Sequence, residues 1–422
     1  MPFRTPLRGA LLSALAALAC GADPVPSGSS STSVTIPQPV PPTWLLTQAR
    51  SVDPMRRIAQ AERLRAVATG RQARRWDDPE VELEAGRIQD APSGEDRQLR
   101  LAVVQRIPFP GTRSRAGAAA EAAAGVADAE QQLADADLVA DLAAGVVAVQ
   151  VAEQRKRLAN EDTELVAEVL SAVERRLSVN AVGEADRMRA EVEAAEAAQE
   201  RSSADLALAA ALARLARRIG VALPADVQLV PWPTSAPPGR TALADLTRQH
   251  PRLLAAERRI AAARASADAA RAGTRPDLTV GGFVERDGDE DSAGVLLGIQ
   301  VPLWNGNRAG ADAARAGVAK ALAEAERDQR DVIGAAEAAW DVWSQASTRA
   351  AAAKAKLLPT AERSLALAQA AYARGEGDLG DLLDARRTAA RVRRQAVELD
   401  AEALLSRIDL DRALAIVPKD QP

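Results

Sequence analysis

The stretch Tyr372-Ala-Arg-Gly-Glu-Gly-Asp-Leu-Gly-Asp-Leu-Leu-Asp-Ala-Arg386 interrupts a long run of Ala-rich, helix-period sequence with three glycines in six positions. Glycine supplies the positive φ that ends one helix, and Asp378 is suited to cap the next. Leu379, Leu382 and Leu383 then restart an apolar face, so the second helix is expected to run back antiparallel to the first. The same design stands earlier in the chain as Arg176-Leu-Ser-Val-Asn-Ala-Val-Gly-Glu-Ala-Asp-Arg-Met-Arg-Ala190. A shift of 195 residues carries Asp186 onto Asp381, Ala190 onto Ala385 and Asn180 onto Gly375. After glycine, Asn is the residue that best tolerates a left-handed turn.

Other punctuation recurs at nearly the same shift. Asp53-Pro54 answers His250-Pro251 at 197 residues, each a helix start with proline in the first turn. Pro79-Glu-Val-Glu-Leu83 answers Pro276-Asp-Leu-Thr-Val280, also at 197. Ile107-Pro108-Phe109 answers Val301-Pro302-Leu303 at 194, and Gly111-Thr-Arg113 answers Gly306-Asn-Arg308 at 195. Arg218-Ile-Gly-Val221 answers Ala413-Leu-Ala-Ile416 at 195. The chain is a tandem duplication.

Composition narrows what the repeats can be. Of 422 residues 47% are apolar, but about half of these are Ala, and aromatics supply only 2%. Such a chain packs long helices closely and builds no thick aromatic core. The net charge of −4 is small, and no basic stripe interleaved with aromatics points to nucleic acid. Residues 1–19 read as a signal peptide, with Arg4 and Arg8 ahead of an apolar run too short to span a membrane. Cys20, the only cysteine, excludes an internal disulfide. At the end of that run it resembles a bacterial lipobox cysteine, which would carry lipid and become the mature first residue. Residues 20–43 form a Pro/Ser-rich linker from that anchor.

The first repeat is expected over 44–220 and the second over 241–416, with a Pro-rich linker at 221–240 and a short tail at 417–422. Each contains one β-hairpin, at 79–107 and at 277–301. Val81, Leu83 and Ala85 alternate with Glu82, Glu84 and Gly86, which is strand period. Strands of about 9–11 residues suit a tilted transmembrane β-strand. A long helix follows each hairpin, from about Gly111 to Ser178 and from Arg308 to Arg374. The helices at Asp186–Ile219 and Asp378–Ile416 return antiparallel. Each return helix, stacked end to end with the helix before the hairpin, matches one long helix of roughly 100 Å. Four strands cannot close a barrel, and lipid tolerates no open sheet edge. Several chains must therefore share one barrel; three would give twelve strands above twelve helical columns. The expected fold class is α+β, dominated by long α-helices.

From about Trp44 to Ile416 the chain resembles the TolC-like outer-membrane efflux proteins, most nearly those of heavy-metal-type resistance–nodulation–division pumps. The likeness is carried by Gln105-Arg-Ile-Pro-Phe-Pro-Gly-Thr-Arg113, His250-Pro-Arg-Leu-Leu-Ala-Ala256, Arg275-Pro-Asp-Leu278 and Val301-Pro-Leu-Trp-Asn-Gly306. Tyr372-x-x-Gly375 followed by Asp381-Leu-Leu-Asp-Ala-Arg386 completes it. The resemblance implies a homotrimer in the outer membrane of a Gram-negative bacterium, with an α-helical barrel crossing the periplasm. It implies further that the glycine turns meet a periplasmic adaptor bound to an inner-membrane pump.

The same resemblance singles out residues. Asp381 and Asp384, on one helix face at i, i+3, match paired aspartates that constrict the periplasmic end in relatives. Tyr372 falls on a gate tyrosine of some relatives; the arginine they carry five residues on is Gly377 here. Val179, Asn180 and Ala181, with Arg374, Gly375 and Glu376, occupy the tips where the family docks its adaptor. Phe109 and Trp304, each just past the proline that ends a strand, suit membrane-interface anchors. Ile333, Ala336, Trp340 and Trp343 recur at helical spacing and read as a packing seam.

Catalysis finds no support: no nucleophile–base pair, zinc spacing or phosphate loop is present, and no cofactor is expected. His250, the sole histidine, fits a helix cap. The sequence reads as a passive exit duct of a tripartite efflux system for metal ions or small toxic compounds. A duct of the same fold serving type I protein secretion is the first alternative, and a coiled-coil scaffold without a pore the second.

Overall fold

The computed structural model describes residues 35–416, apart from 92–93, 235, 288–289, 302–305 and 307. The signal peptide, Cys20, Trp304 and the 417–422 tail lie outside the described residues. The first repeat runs α1 (Pro42–Val52), α2 (Pro54–Arg74), β1 (Glu80–Ala91), β2 (Gly94–Ile107), α3 (Thr112–Ser178) and α4 (Glu184–Ile219). The second runs from a 3-10 turn (Arg240–Ala242) into α5 (Leu243–Thr247), α6 (Pro251–Ala272), β3 (Asp277–Asp287) and β4 (Glu290–Gln300). It ends with α7 (Arg308–Ala352), a π turn (Ala353–Leu357), α8 (Leu358–Arg374) and α9 (Leu379–Ala413).

The caps expected from sequence are made. Asp53 accepts from the Met55 N–H at 3.2 Å and Asp378 from the Leu379 N–H at 2.8 Å. Nδ1 of His250 accepts from the Arg252 N–H at 3.1 Å. Burial, and then the Arg252 charge, lower the His250 pKa, which keeps the ring neutral and this acceptor free.

The duplication is written into the backbone. Gly375 has φ 74° and Asn180 φ 55°; Gly220 has φ 69° and Ala415, 195 residues on, φ 51°. Both tip turns close with the same bond pair. Asn180 N donates to Leu177 O and Ala181 N to Arg176 O, both at 2.9 Å. Gly375 N donates to Tyr372 O at 3.1 Å and Glu376 N to Ala371 O at 2.9 Å.

Two elements differ from the sequence expectation. The strands reach 12, 14, 11 and 11 residues, because pairing continues into the charged segments read as loops. The Arg286 side chain, for instance, donates twice to Asp291 across the second hairpin. The second long helix is not uniform: the π turn precedes Pro359, whose missing N–H and ring break the regular ladder there.

α3, at 67 residues and about 1.5 Å per residue, is roughly 100 Å long. Along one side it packs on α2 and α4, with α1 between them; along the other it packs on α6 and α9, which also hold α7. Its seam is small and regular: Leu142, Val146, Val149, Val166, Val169 and Val173 are buried at helical spacing. Burying a Leu142-sized side chain is worth about 1.5–3 kcal/mol. Burial is densest mid-helix, where Trp232 of the inter-repeat linker and Ile408 of α9 pack on Ala140, Ala143 and Val147. Just before α1, Val40 pairs in parallel with Leu229 of that linker. Ala336, Trp340 and Trp343 pack with Leu243, Leu410 and Leu414 as the seam requires, whereas Ile333 is exposed.

The four strands make one antiparallel sheet in the order β1-β2-β3-β4, so the two repeats join through β2 and β3. Among the described residues, both outer strands leave an edge unpaired.

An L-residue in the left-handed region costs about 1–2 kcal/mol, and Asn less. Gly375→Ala should therefore lower the thermal stability of detergent-extracted protein, followed by circular dichroism, more than Gly375→Asn does. Equal effects would contradict the equivalence of Gly375 and Asn180.

Candidate functional site

At the glycine-turn end the helices close over an apolar core. Val169 and Val173 of α3, Ala190 of α4, Leu365 and Tyr372 of α8, and Leu379, Leu382 and Leu383 of α9 are buried together. Tyr372 lies inside this core. Its ring is covered by the Arg176 guanidinium, 4.1 Å from the centroid, and Arg176 also donates to the Tyr372 carbonyl at 2.7 Å. The tyrosine thus joins the tip of α3 to that of α8.

Asp381 and Asp384 occupy the opposite face of α9 from those leucines and are exposed. Asp384, with 78% of its side chain exposed, is 3.5 Å from Arg387. Beneath them lies a charge network that the sequence did not reveal. Arg386 is buried; it donates to Asp162 of α3 at 2.9 Å and to Glu193 of α4, and Arg387 donates to the same fully buried Glu193. The only hint was the charge of Glu193 on a helix whose neighbouring contacts are alanine. The structure brings Asp384, Arg387, Glu193, Arg386 and Asp162 together and sets Tyr372 apart from them.

The two tips project as exposed turns. Val179, Asn180 and Ala181 are all exposed, Val179 at 71%, and Arg374 pairs with Glu376 at 2.7 Å across Gly375.

At the other end the register sorts the sheet into two faces. Val81, Leu83 and Ala85 stand opposite Val103, Leu101 and Leu99; Leu101 stands opposite Val284, and Val295, Leu297 and Ile299 opposite Gly282, Val280 and Leu278. This face is apolar yet open: Val295 is 80% and Leu297 76% exposed. Glu80, Glu82, Glu84, Arg100, Thr279 and Glu285 point the other way, by the alternation of the strands. A water-soluble sheet is built the opposite way round.

Two aromatic side chains mark where sheet and helices meet. Phe109 donates its N–H to Asp277 at 3.2 Å, with the Arg275 guanidinium 4.9 Å from its ring. Trp76, between α2 and β1, carries Arg113 at 3.7 Å and is exposed. Sequence reasoning passed over Trp76, although an aromatic just before a strand is the same signal as Phe109 just after one.

Residues 242–415 match the model of the family described as outer membrane efflux protein. That match spans the second repeat. Protein CyaE of Bordetella pertussis (strain Tohama I) is 29% identical over 251 residues, covering 54% of this chain and 52% of CyaE. The chain thus matches about half the length of that relative. Among solved structures, the outer-membrane channel OprN superposes with a TM-score of 0.75 at 21% identity over 89% of each chain. CusC also superposes at 0.75, with 19% identity over 88% of this chain and 91% of its own. The fold of these channels therefore extends over both repeats.

Removing one partner of a buried ion pair costs about 3–5 kcal/mol, because the other charge is left uncompensated. Glu193→Ala should therefore strongly destabilise the protein, while an exposed control, Glu191→Ala, shifts stability by under about 1 kcal/mol. Thermal unfolding in detergent checks this, and equal effects would show that the network carries no weight.

Proposed function

We propose that this chain is an outer-membrane efflux protein of a Gram-negative bacterium, a passive exit duct in which three copies close one barrel of twelve strands over twelve helical columns, with the long helices in the periplasm. The observation that carries the reading is the sheet: its exposed face is apolar, its other face holds the charges, and both edges lack partners. Edge N–H and C=O groups cannot be left unpaired in lipid, so β1 of one copy pairs with β4 of the next. Phe109 then sits at the periplasmic interface, where aromatic side chains are favoured. Cys20 carries lipid that anchors the mature chain.

Transport in this reading is energised by an inner-membrane pump and coupled through a periplasmic adaptor. The adaptor docks on the twin turns at Val179, Asn180, Ala181 and at Arg374, Gly375, Glu376, whose shared backbone geometry offers it two alike sites. The cargo is metal ions or small toxic compounds, and the duct selects by bore and lining charge.

Threefold symmetry brings the Asp381 and Asp384 pairs around one opening as six carboxylates, tempered by Arg387 beside each Asp384. Tyr372 supports the opening from behind. Native mass spectrometry of detergent-extracted protein should give a trimer, and planar-bilayer recording should show cation-preferring conductance blocked by divalent cations. The D381A/D384A double variant should lose that block. A stable monomer would overturn the duct, and an unchanged block would reduce the aspartates to a solvated helix face.

Lipidation is checked separately. Mass spectrometry of the mature amino terminus should find acylated Cys20, and Cys20→Ser should accumulate as unprocessed precursor. An unmodified mature terminus would remove the anchor from this reading.

A further inference from the structure

Most of the polar face of the sheet is shallow. Gly281, Gly294, Gly298 and Ala102 share it, and among them stands one bulky pair, Arg100 of β2 and Phe283 of β3. Gly294 lies directly opposite Phe283, and a Cβ there would come within 2.6 Å of the Phe283 ring. The ring therefore lies flat across the glycine, and only glycine permits that pose. The Arg100 guanidinium sits over the ring with its carbon 4.7 Å from the centroid.

The pair is placed among carboxylates but is not consumed by them. Glu84 and Glu285 stand opposite Arg100 on the two neighbouring strands. Glu285 accepts instead from Gln98, at 2.6 Å, and among the described residues no carboxylate lies within ion-pair distance of Arg100. Arg106, the other arginine on this face of β2, is bound to Asp277. Arg100 thus presents a positive charge, oriented by an aromatic plate and not paired with a carboxylate, on a strand wall that also carries the exposed Glu80, Glu82 and Glu84 and the Asp277-bound Arg106.

We infer that Arg100, held on Phe283, is a specificity-determining residue of the duct's strand portion. This rests on the proposed trimeric duct, in which the polar face lines the bore. Three copies place three Arg100–Phe283 pairs at one level, where the pair is the bulkiest feature of the wall. Arg100 there opposes the passage of cations that the aspartates at the far end admit, and gives anionic groups on a cargo a place to dwell. Phe283 fixes the height of the guanidinium above the wall and narrows the bore at that level.

The test is reversal potential and single-channel conductance in planar bilayers under a potassium chloride gradient, with trimer content checked first. Removing one charge per chain should raise the cation-to-anion permeability ratio of R100A by about threefold, while R100K keeps the ratio near that of the unaltered protein. Phe283→Leu should raise conductance and soften the anion contribution without changing net charge. A merely structural role for Arg100 would lower trimer yield in both Arg100 variants and leave the reversal potential of assembled channels unmoved; that outcome overturns the inference. An unaltered protein that assembles but conducts nothing would overturn the duct itself, whatever the variants do.

Discussion

Along the outer sides of β1 and β4, no strand among the described residues pairs with the backbone N–H and C=O groups. In water such an edge is a liability; in hydrocarbon each unpaired group costs several kcal/mol. The sheet's apolar face favours hydrocarbon, because side chains such as Val295 and Leu297 are nearly as open as in an extended chain. These two demands conflict for one copy and agree for a closed ring. In the proposed ring the helices beneath the sheet stand at the spacing of the strands, and each repeat needs a second column as tall as α3.

That second column explains the peculiar economy of the helices. α2 and α4 share one side of α3, with α1 as the joint between them. At such joints a chain loses the continuity of a helix, and the structure concentrates its burial there. Leu45 and Ala49 of α1, Leu215 and Ile219 of α4, and the middle of α3 are all buried. Elsewhere the seams are mostly Ala and Val, which lets long helices lie close along their length. Ion pairs such as Arg259–Glu130 at 2.8 Å and Arg56–Asp135 at 3.0 Å cross between columns. Each half-exposed pair adds little by itself, but its geometry holds only in one register of the helices.

What the sequence disclosed was what is decided locally. Gly375 and Asn180 announce their turns because few residues adopt positive φ, and Asp53, His250 and Asp378 cap helices within two residues of themselves. The faces of the strands follow from alternation. The Glu193–Arg386 contact was hidden, because its partners lie 193 positions apart and a Glu on an Ala-rich helix ordinarily faces solvent. Arg100 and Phe283 needed the strand register, which no hairpin alone specifies across the two repeats. The length of the strands was underestimated for a similar reason: charged residues end an apolar pattern without ending the hydrogen-bond ladder. Tyr372 could be placed at the tip, but not seen to be sealed into the core by Arg176.

The mid-helix belt and the tip differ in the kind of energy that holds them. The mid-helix belt is apolar and distributed over many small side chains, so no single contact governs it. The tip is held by one leucine-rich cluster and one buried charge network reaching α3 and α4 from α9. A buried network is unforgiving: its members stabilise only when all are paired, and a displaced arginine leaves a bare carboxylate behind. In the proposed docking, a protein on the exposed turns would act on the ends of α3 and α8, which Arg176 on Tyr372 already joins to each other. Between those ends and the charge network lies one packed cluster, so a change at the turns would meet that cluster before it met Glu193 and Arg386.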